Sequence, residues 1–174
     1  MQGKKVCKTI QKGNKEQIET LFAGIYQQYF KLMYFVAFSY LKNEQYAEDV
    51  CQETFLSFFE KCTDFDWLKQ IANIKSYLCK CAKNLAIKEA KNRQRVDQIE
   101  NDESFSSYEN SSNYEFELRR FLLKLDQESL EIINDHIFLD LSFKDIAQKR
   151  QSSINTVKSK YRRAMEKIRR EYIK

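Results

Sequence analysis

The chain has 174 residues, with 30 Lys or Arg against 25 Asp or Glu for a net charge of +5, 43% hydrophobic content, no proline and only three glycines. That composition rules out an architecture of tight β-turns or glycine-rich phosphate loops, and predicts an all-helical protein with one or two small cores. One histidine, five cysteines with no Cys-x-x-Cys pair, and no carboxylate pair in an apolar setting argue against a metal site, a cofactor, a small-molecule substrate or an enzyme.

Residues 1 to about 16 are polar and are expected to fray. Helical periodicity begins at Ile18, Leu21, Phe22, Ile25, Tyr26 and Tyr29 and continues through Leu32, Met33, Phe35, Val36, Phe38 and Leu41. The longest apolar run, Leu32 to Leu41, is about half of a bilayer span, so no membrane insertion is expected. Cysteines scattered in odd number fit small apolar fillers in a reducing cytoplasm. After a break at Lys42-Asn43-Glu44, the segment YAEDVCQETFLSFFEKC puts Ala47, Val50, Cys51, Phe55, Phe58 and Phe59 on an inner side and Glu48, Asp49, Gln52 and Glu53 outside. From Asn43 to Asp66 there are seven acids and one base.

The sign then reverses, with eight bases and one acid between Leu68 and Arg95. The apolar side of that segment is Ile74, Tyr77, Leu78, Cys81, Leu85 and Ile87. Adjacent helices of opposite charge point to two surfaces with different partners. Residues 97–115 lie in a Ser- and Asn-rich acidic run whose composition cannot offset the entropy of ordering, so they are predicted to be a flexible, disordered linker. The helical pattern resumes at Phe116 with Leu118, Phe121, Leu122 and Leu125, followed by Leu130, Ile133, Ile137 and Phe138. The expected domains are 17–96 and 116–174.

The last stretch, Leu141 to Arg170, reads as a helix-turn-helix. Ser142 and Asp145 form a capping signature, and Ile146 and Ala147 face inward. Ser153 caps a second helix whose apolar side is Ile154, Val157, Tyr161, Met165 and Ile168. Its other face carries Asn155, Thr156, Lys158, Ser159, Lys160, Arg162 and Arg163, with short polar groups first and cations after them. A helix entering the major groove needs that order, since amides and hydroxyls reach base edges while cations meet phosphates. Lys144 to Lys174 holds eleven bases against three acids.

With these segments in place, the chain resembles a bacterial RNA polymerase sigma factor of the extracytoplasmic-function group of the sigma-70 family. Ala47 to Phe55 looks like the family's polymerase-binding helix, Ser76 to Asn84 like its promoter-melting helix, and Ile154 to Arg169 like its recognition helix, the match covering roughly 20 to 95 and 118 to 170. The resemblance implies that Glu48, Asp49, Gln52 and Glu53 contact core RNA polymerase. It also implies that Asn73, Lys75, Ser76, Tyr77, Lys80, Asn84, Lys88 and Arg93 engage the −10 element of promoter DNA, with Lys83 a further phosphate contact. Ser153, Asn155, Thr156, Lys158, Ser159, Lys160, Arg162 and Arg163 would read the −35 element, and an anti-sigma factor would be a further partner. Tyr77 stands where the family has tryptophan and is read first as a packed aromatic. Trp67 is either part of a base pocket or packed against Phe65.

Two departures bear on the second domain. Leu125-Asp126 replaces a common Leu-Pro, and Arg150, Gln151 and Ser152 replace Leu-Gly-Ile in the turn. Without the glycine, either Gln151 takes a strained backbone or the turn differs. A stand-alone helix-turn-helix regulator that dimerises through its N-terminal helices is the alternative. It leaves the acidic and basic faces of the first half unexplained, and a helical adaptor that touches only proteins leaves the basic C-terminal end unexplained.

Overall fold

The computed structural model describes residues 2–96 and 123–172, all helix and connecting turn. The chain divides into two compact units, Met1–Lys91 and Asn92–Lys174. The expected linker, 97–115, and the start of the second domain, 116–122, lie outside the described residues.

In the first unit, α1 (Gln2–Lys12) is followed by α2 (Lys15–Leu41), α3 (Glu44–Lys61), α4 (Phe65–Gln70) and α5 (Ile74–Val96). The expectation of a frayed start is wrong. Helix α1 packs on α4 and buries Gly3, Val6 and Cys7. Two α1 amides donate across to the α4–α5 connection, Gln2 to the Ala72 carbonyl at 3.2 Å and Gly3 to the Ile71 carbonyl at 3.1 Å. The Gln2 side chain accepts from the Ile74 amide at 3.0 Å, which satisfies an orphan donor at the start of α5.

Helix α2 starts at a reciprocal capping box in which Asn14 accepts from the Gln17 amide at 2.9 Å and Gln17 accepts from the Asn14 amide at 3.1 Å. It ends at Lys42, whose φ of 56° turns the chain in the left-handed region, and Asn43 then caps α3 by accepting from the Tyr46 amide. With only these two residues between them, α2 and α3 pack antiparallel. The aromatic pairs show it: Phe22 lies 4.4 Å from Phe59 and Tyr26 4.8 Å from Phe55, one sequence rising as the other falls. Met33, Val36, Ala37, Cys51, Leu68, Leu78 and Ala82 are fully enclosed. Burial pushes the Cys51 and Cys62 thiols up to about 12, so both stay protonated as apolar fillers.

In the second unit, α6 (Gln127–Ile133) continues as one π-helical turn (Asn134–Phe138), followed by α7 (Phe143–Lys149) and α8 (Ile154–Tyr172). Asp126, in the place of the family's proline, caps α6 by accepting from the Ser129 amide at 2.9 Å. Ile132, Ile146, Ala147 and Val157 form the core, with Leu141, Phe143 and Tyr161 packed against it. The widened π turn carries Asp135 fully inside, where its carboxylate accepts from Lys149 Nζ at 2.7 Å and its carbonyl from the Leu141 amide at 2.9 Å. His136 stacks on Phe143, with centroids 4.1 Å apart, and meets Tyr161 edge-on, a packing role.

The expected caps of the helix-turn-helix are present. Ser142 and Asp145 cap each other at α7, and Ser153 accepts from the Thr156 amide at 3.1 Å. Between them Gln151 has φ 51°, the strained one of the two backbones open to it. The Ser152 amide donates to the Ala147 carbonyl at 3.0 Å and the Gln151 amide to the Gln148 carbonyl at 3.2 Å. These bonds define a Schellman ending with glutamine at the position that usually carries glycine.

Candidate nucleic-acid and protein interfaces

Helix α3 buries Ala47, Val50, Cys51, Phe55 and Phe58 in the core of the first unit, and that choice of inner side sets its outer one. Glu48, Asp49, Gln52 and Glu53 are all exposed. They occupy successive turns at three- and four-residue spacings and form one acidic face. The same spacing brings Leu56 onto it, 61% exposed, a residue that the sequence reading passed over. Its position four residues after Gln52, off the buried stripe, was the available signal.

Helix α5 presents Lys80, Asn84 and Lys88 to solvent at intervals of one turn, so these three share a stripe. Lys75, Ser76, Tyr77 and Arg93 are half-buried. Asn73 is exposed and has a structural task, its Oδ1 accepting from the Ser76 amide at 3.2 Å to cap the helix. Lys83 does not join the basic stripe as expected. It is buried, with its ammonium 5.7 Å from the Tyr40 ring centroid, a cation–π placement inside the unit. Tyr77 packs as an aromatic, 5.4 Å from Trp67 and 6.0 Å from Phe58, and burial raises its phenol above the ordinary value. Trp67 lies on α4 and packs on Phe58 at 6.1 Å as well as on Tyr77. Between α3 and α5 runs a groove of about 330 Å³ lined by Glu53, Ser57 and Lys61 on one side and Tyr77, Asn84 and Lys88 on the other.

On α8, Ser153, Asn155, Thr156, Lys158, Arg162 and Arg163 are exposed and Ser159 is half-buried. Ser153 and Thr156 share a hydrogen bond of 2.8 Å between hydroxyls. Arg162 lies 3.7 Å from Glu166 one turn on, an exposed pair of small energetic weight. Lys160, grouped with these residues by sequence, is instead turned against Glu128 of α6. Ile154 differs too: it is 41% exposed, whereas Val157 and Ala164 are buried. Among the described residues no helix is long and apolar enough to cross a membrane, and no group of three or more His, Cys, Asp or Glu side chains is placed to hold a metal ion.

Residues 25–96 match the family model Sigma-70 region 2, and residues 115–168 match Sigma-70, region 4. The chain belongs to the sigma-70 family. With region 2 followed directly by region 4, this sigma factor is of the extracytoplasmic-function group, and it directs RNA polymerase to promoters. Among solved structures, its fold is similar to that of the sigma factor RpoE from Bartonella quintana, solved in complex with the anti-sigma factor NepR. The two are 20% identical with a TM-score of 0.56, over 87% of this chain and 96% of that one. No match was found among curated proteins. A stand-alone helix-turn-helix regulator is not favoured, because it leaves the region 2 match over 25–96 without a role.

Proposed function

We propose that the three exposed faces divide the work of a sigma factor among them, the protein itself catalysing nothing. The acidic face of α3, through Glu48, Asp49, Gln52 and Glu53, docks on a basic surface of core RNA polymerase. Opposite charge steers that encounter and penalises wrong partners. Helix α5 holds the −10 element. Lys80 and Lys88 pair with phosphates of the opened strand and Asn84, between them, reaches a base, while Lys75, Ser76 and Arg93 flank the stripe. Asn73 and Tyr77 shape this site, one by capping the helix and the other by forming the groove wall.

Helix α8 reads the −35 duplex. Asn155, Thr156 and Ser159 reach base edges from its N-terminal half, Ser153 orients Thr156, and Lys158, Arg162 and Arg163 contact phosphates. Domains of about 17–96 and 116–174 joined by a linker at 97–115 suit two DNA elements read at separate places, and α1 adds residues 2–12 to the first. The protein would act in the cytoplasm with its polymerase. An anti-sigma factor is a fitting further partner, since the Bartonella quintana sigma factor of similar fold was captured with one.

The observation that carries this reading is the exposure of Asp49 and Gln52 on a face opposite in charge to the Lys80–Asn84–Lys88 stripe. The test is initiation by core polymerase on a promoter library with and without the protein, together with core affinity measured for the double variant Asp49→Lys, Gln52→Ala. Selective initiation is expected, lost in the variant along with core binding while the fold survives. Unchanged core affinity in the double variant removes the α3 assignment.

A further inference from the structure

Four ionisable side chains converge at one edge of the recognition helix from three elements of the second unit. Glu128, in the first turn of α6, faces Arg150 at the end of α7, whose Nη2 lies 3.5 Å from Glu128 Oε1. It also accepts from Lys160 of α8. Arg150 in turn donates through Nη1 to Glu131 Oε2 at 2.9 Å. The Arg150 side chain is only 18% exposed, whereas Lys160 at 34% and Glu128 at 44% are partly open to solvent, so the Arg150 pairs are the better shielded ones.

Lys160 lies at the edge of the face proposed to hold DNA, three residues before Arg163 and opposite in direction to Lys158. Two residues along an α-helix correspond to about 200° of rotation, so Lys158 and Lys160 point to nearly opposite sides of α8. Lys158 is exposed while Lys160 is tied to α6. The same carboxylate fixes the turn, because Arg150 stands at the first of the three turn positions where the sigma factors this chain resembles carry apolar residues.

We infer that Glu128 is a specificity-determining residue: by engaging Lys160 it withholds that cation from the DNA backbone, and by sharing Arg150 with Glu131 it ties α6 to α7 and α8 and sets the recognition helix at a fixed angle. This rests on the reading of α8 as the −35 helix. Affinity for random DNA comes from phosphate neutralisation and counterion release, which is blind to sequence. Each cation freed near the duplex strengthens wrong sites as well as the right one, and selectivity is the ratio between them. Glu128 thus favours base contacts by removing part of the sequence-independent attraction.

The test uses holoenzyme formed from the full chain, a promoter duplex, a random duplex and a salt series. For Lys160→Met the expected result is an unchanged salt slope, since the cation is already neutralised. A slope shallower by about one would show Lys160 on a phosphate and overturn the inference. For Glu128→Gln, random-duplex binding should tighten about 3- to 10-fold at low salt with a steeper slope, and the promoter-to-random ratio should fall. Equal weakening on both duplexes, or no change on either, would also overturn it. Lys158→Ala and Arg163→Ala serve as controls: if neither alters the slope, the assignment of α8 to DNA fails instead. Should Glu128→Gln not fold, Glu128→Asp, which keeps the charge but shortens its reach to Lys160, takes its place: a steeper slope on random duplex is expected, and an unchanged slope overturns the inference.

Discussion

Gly3 of α1 donates its amide to the carbonyl of Ile71, just beyond α4, at 3.1 Å, and a β-carbon built on Gly3 would lie 2.1 Å from the Leu68 carbonyl oxygen and 2.6 Å from that of Ile71. Both obstacles are backbone, held in place by the helix turn that Leu68 and Ile71 belong to, so neither can swing aside. Gly3→Ala should therefore lift α1 off α4 and cost about 1–3 kcal/mol, the range for forcing a methyl into a filled space. Chemical denaturation of the full chain measures it. Wild-type stability for Gly3→Ala would mean that α1 is not docked there. Gln2→Ala, which takes away the acceptor for the Ile74 amide 72 residues on, should cost about 1 kcal/mol, as loss of a helix cap does.

Gln151 holds φ at 51° so that the Schellman hydrogen bonds can close. A side chain in the left-handed region costs about 1–2 kcal/mol that glycine does not incur. Gln151→Gly should stabilise the second unit by about 1 kcal/mol, seen as a later unfolding transition for that unit, whereas Ser152→Gly should not. No gain from Gln151→Gly would imply that the glutamine side chain makes compensating contacts.

What could be read from the sequence was local. The caps at Ser142 and Ser153, the outer face of α3 and the choice of two backbones left to Gln151 depend on residues within one or two turns, and spacing alone specifies them. Helix α1 escaped notice because its apolar content is slight, and its stability comes from a partner some seventy residues away. Lys83 and Lys160 were counted with the DNA-facing cations for the same kind of reason. Charge counts give sign and position along a helix, but Tyr40 and Glu128, which take those ammonium groups inward, are distant in sequence. The π turn at Asn134–Phe138 has no comparable local signature, and its purpose, placing Asp135 against Lys149, is visible only in three dimensions.

The second unit should lose stability in acid, and two carboxylates indicate where. Hydrogen bonds from the Ser129 amide and hydroxyl hold the Asp126 carboxyl below its ordinary value. The hydrogen bond from Lys160, with help from the charge of Arg150, does the same for Glu128. A folded-state pKa below the unfolded one means that the native state binds fewer protons. The stabilisation is then complete above the ordinary carboxylate range and disappears as pH falls through the depressed folded values. Denaturation midpoints for the second unit should show no loss from these groups between about pH 7 and 5 and a decline below. In Asp126→Asn with Glu128→Gln the decline should be shallower. An equally steep decline in the double variant would assign the acid sensitivity to other groups.

Leu56 is 61% exposed in the midst of Asp49, Gln52, Glu53 and Glu60, an apolar side chain ringed by polar ones. In the free protein it contributes almost nothing to folding, because surface changes away from caps and cores stay within about 0.5 kcal/mol. Against a partner helix it would be desolvated at the centre of the patch, where binding energy concentrates, while the acids around it steer and exclude water. Leu56→Lys should therefore leave the denaturation midpoint within error of wild type yet lower affinity for core polymerase by roughly tenfold or more, the equivalent of about 1.4 kcal/mol. Leu56→Met, which keeps the apolar contact, should retain most of the affinity. The two measurements separate the possible failures. A shifted midpoint for Leu56→Lys would place the residue in the fold after all, and an unshifted midpoint with unchanged affinity would move the polymerase contact to another part of the acidic face.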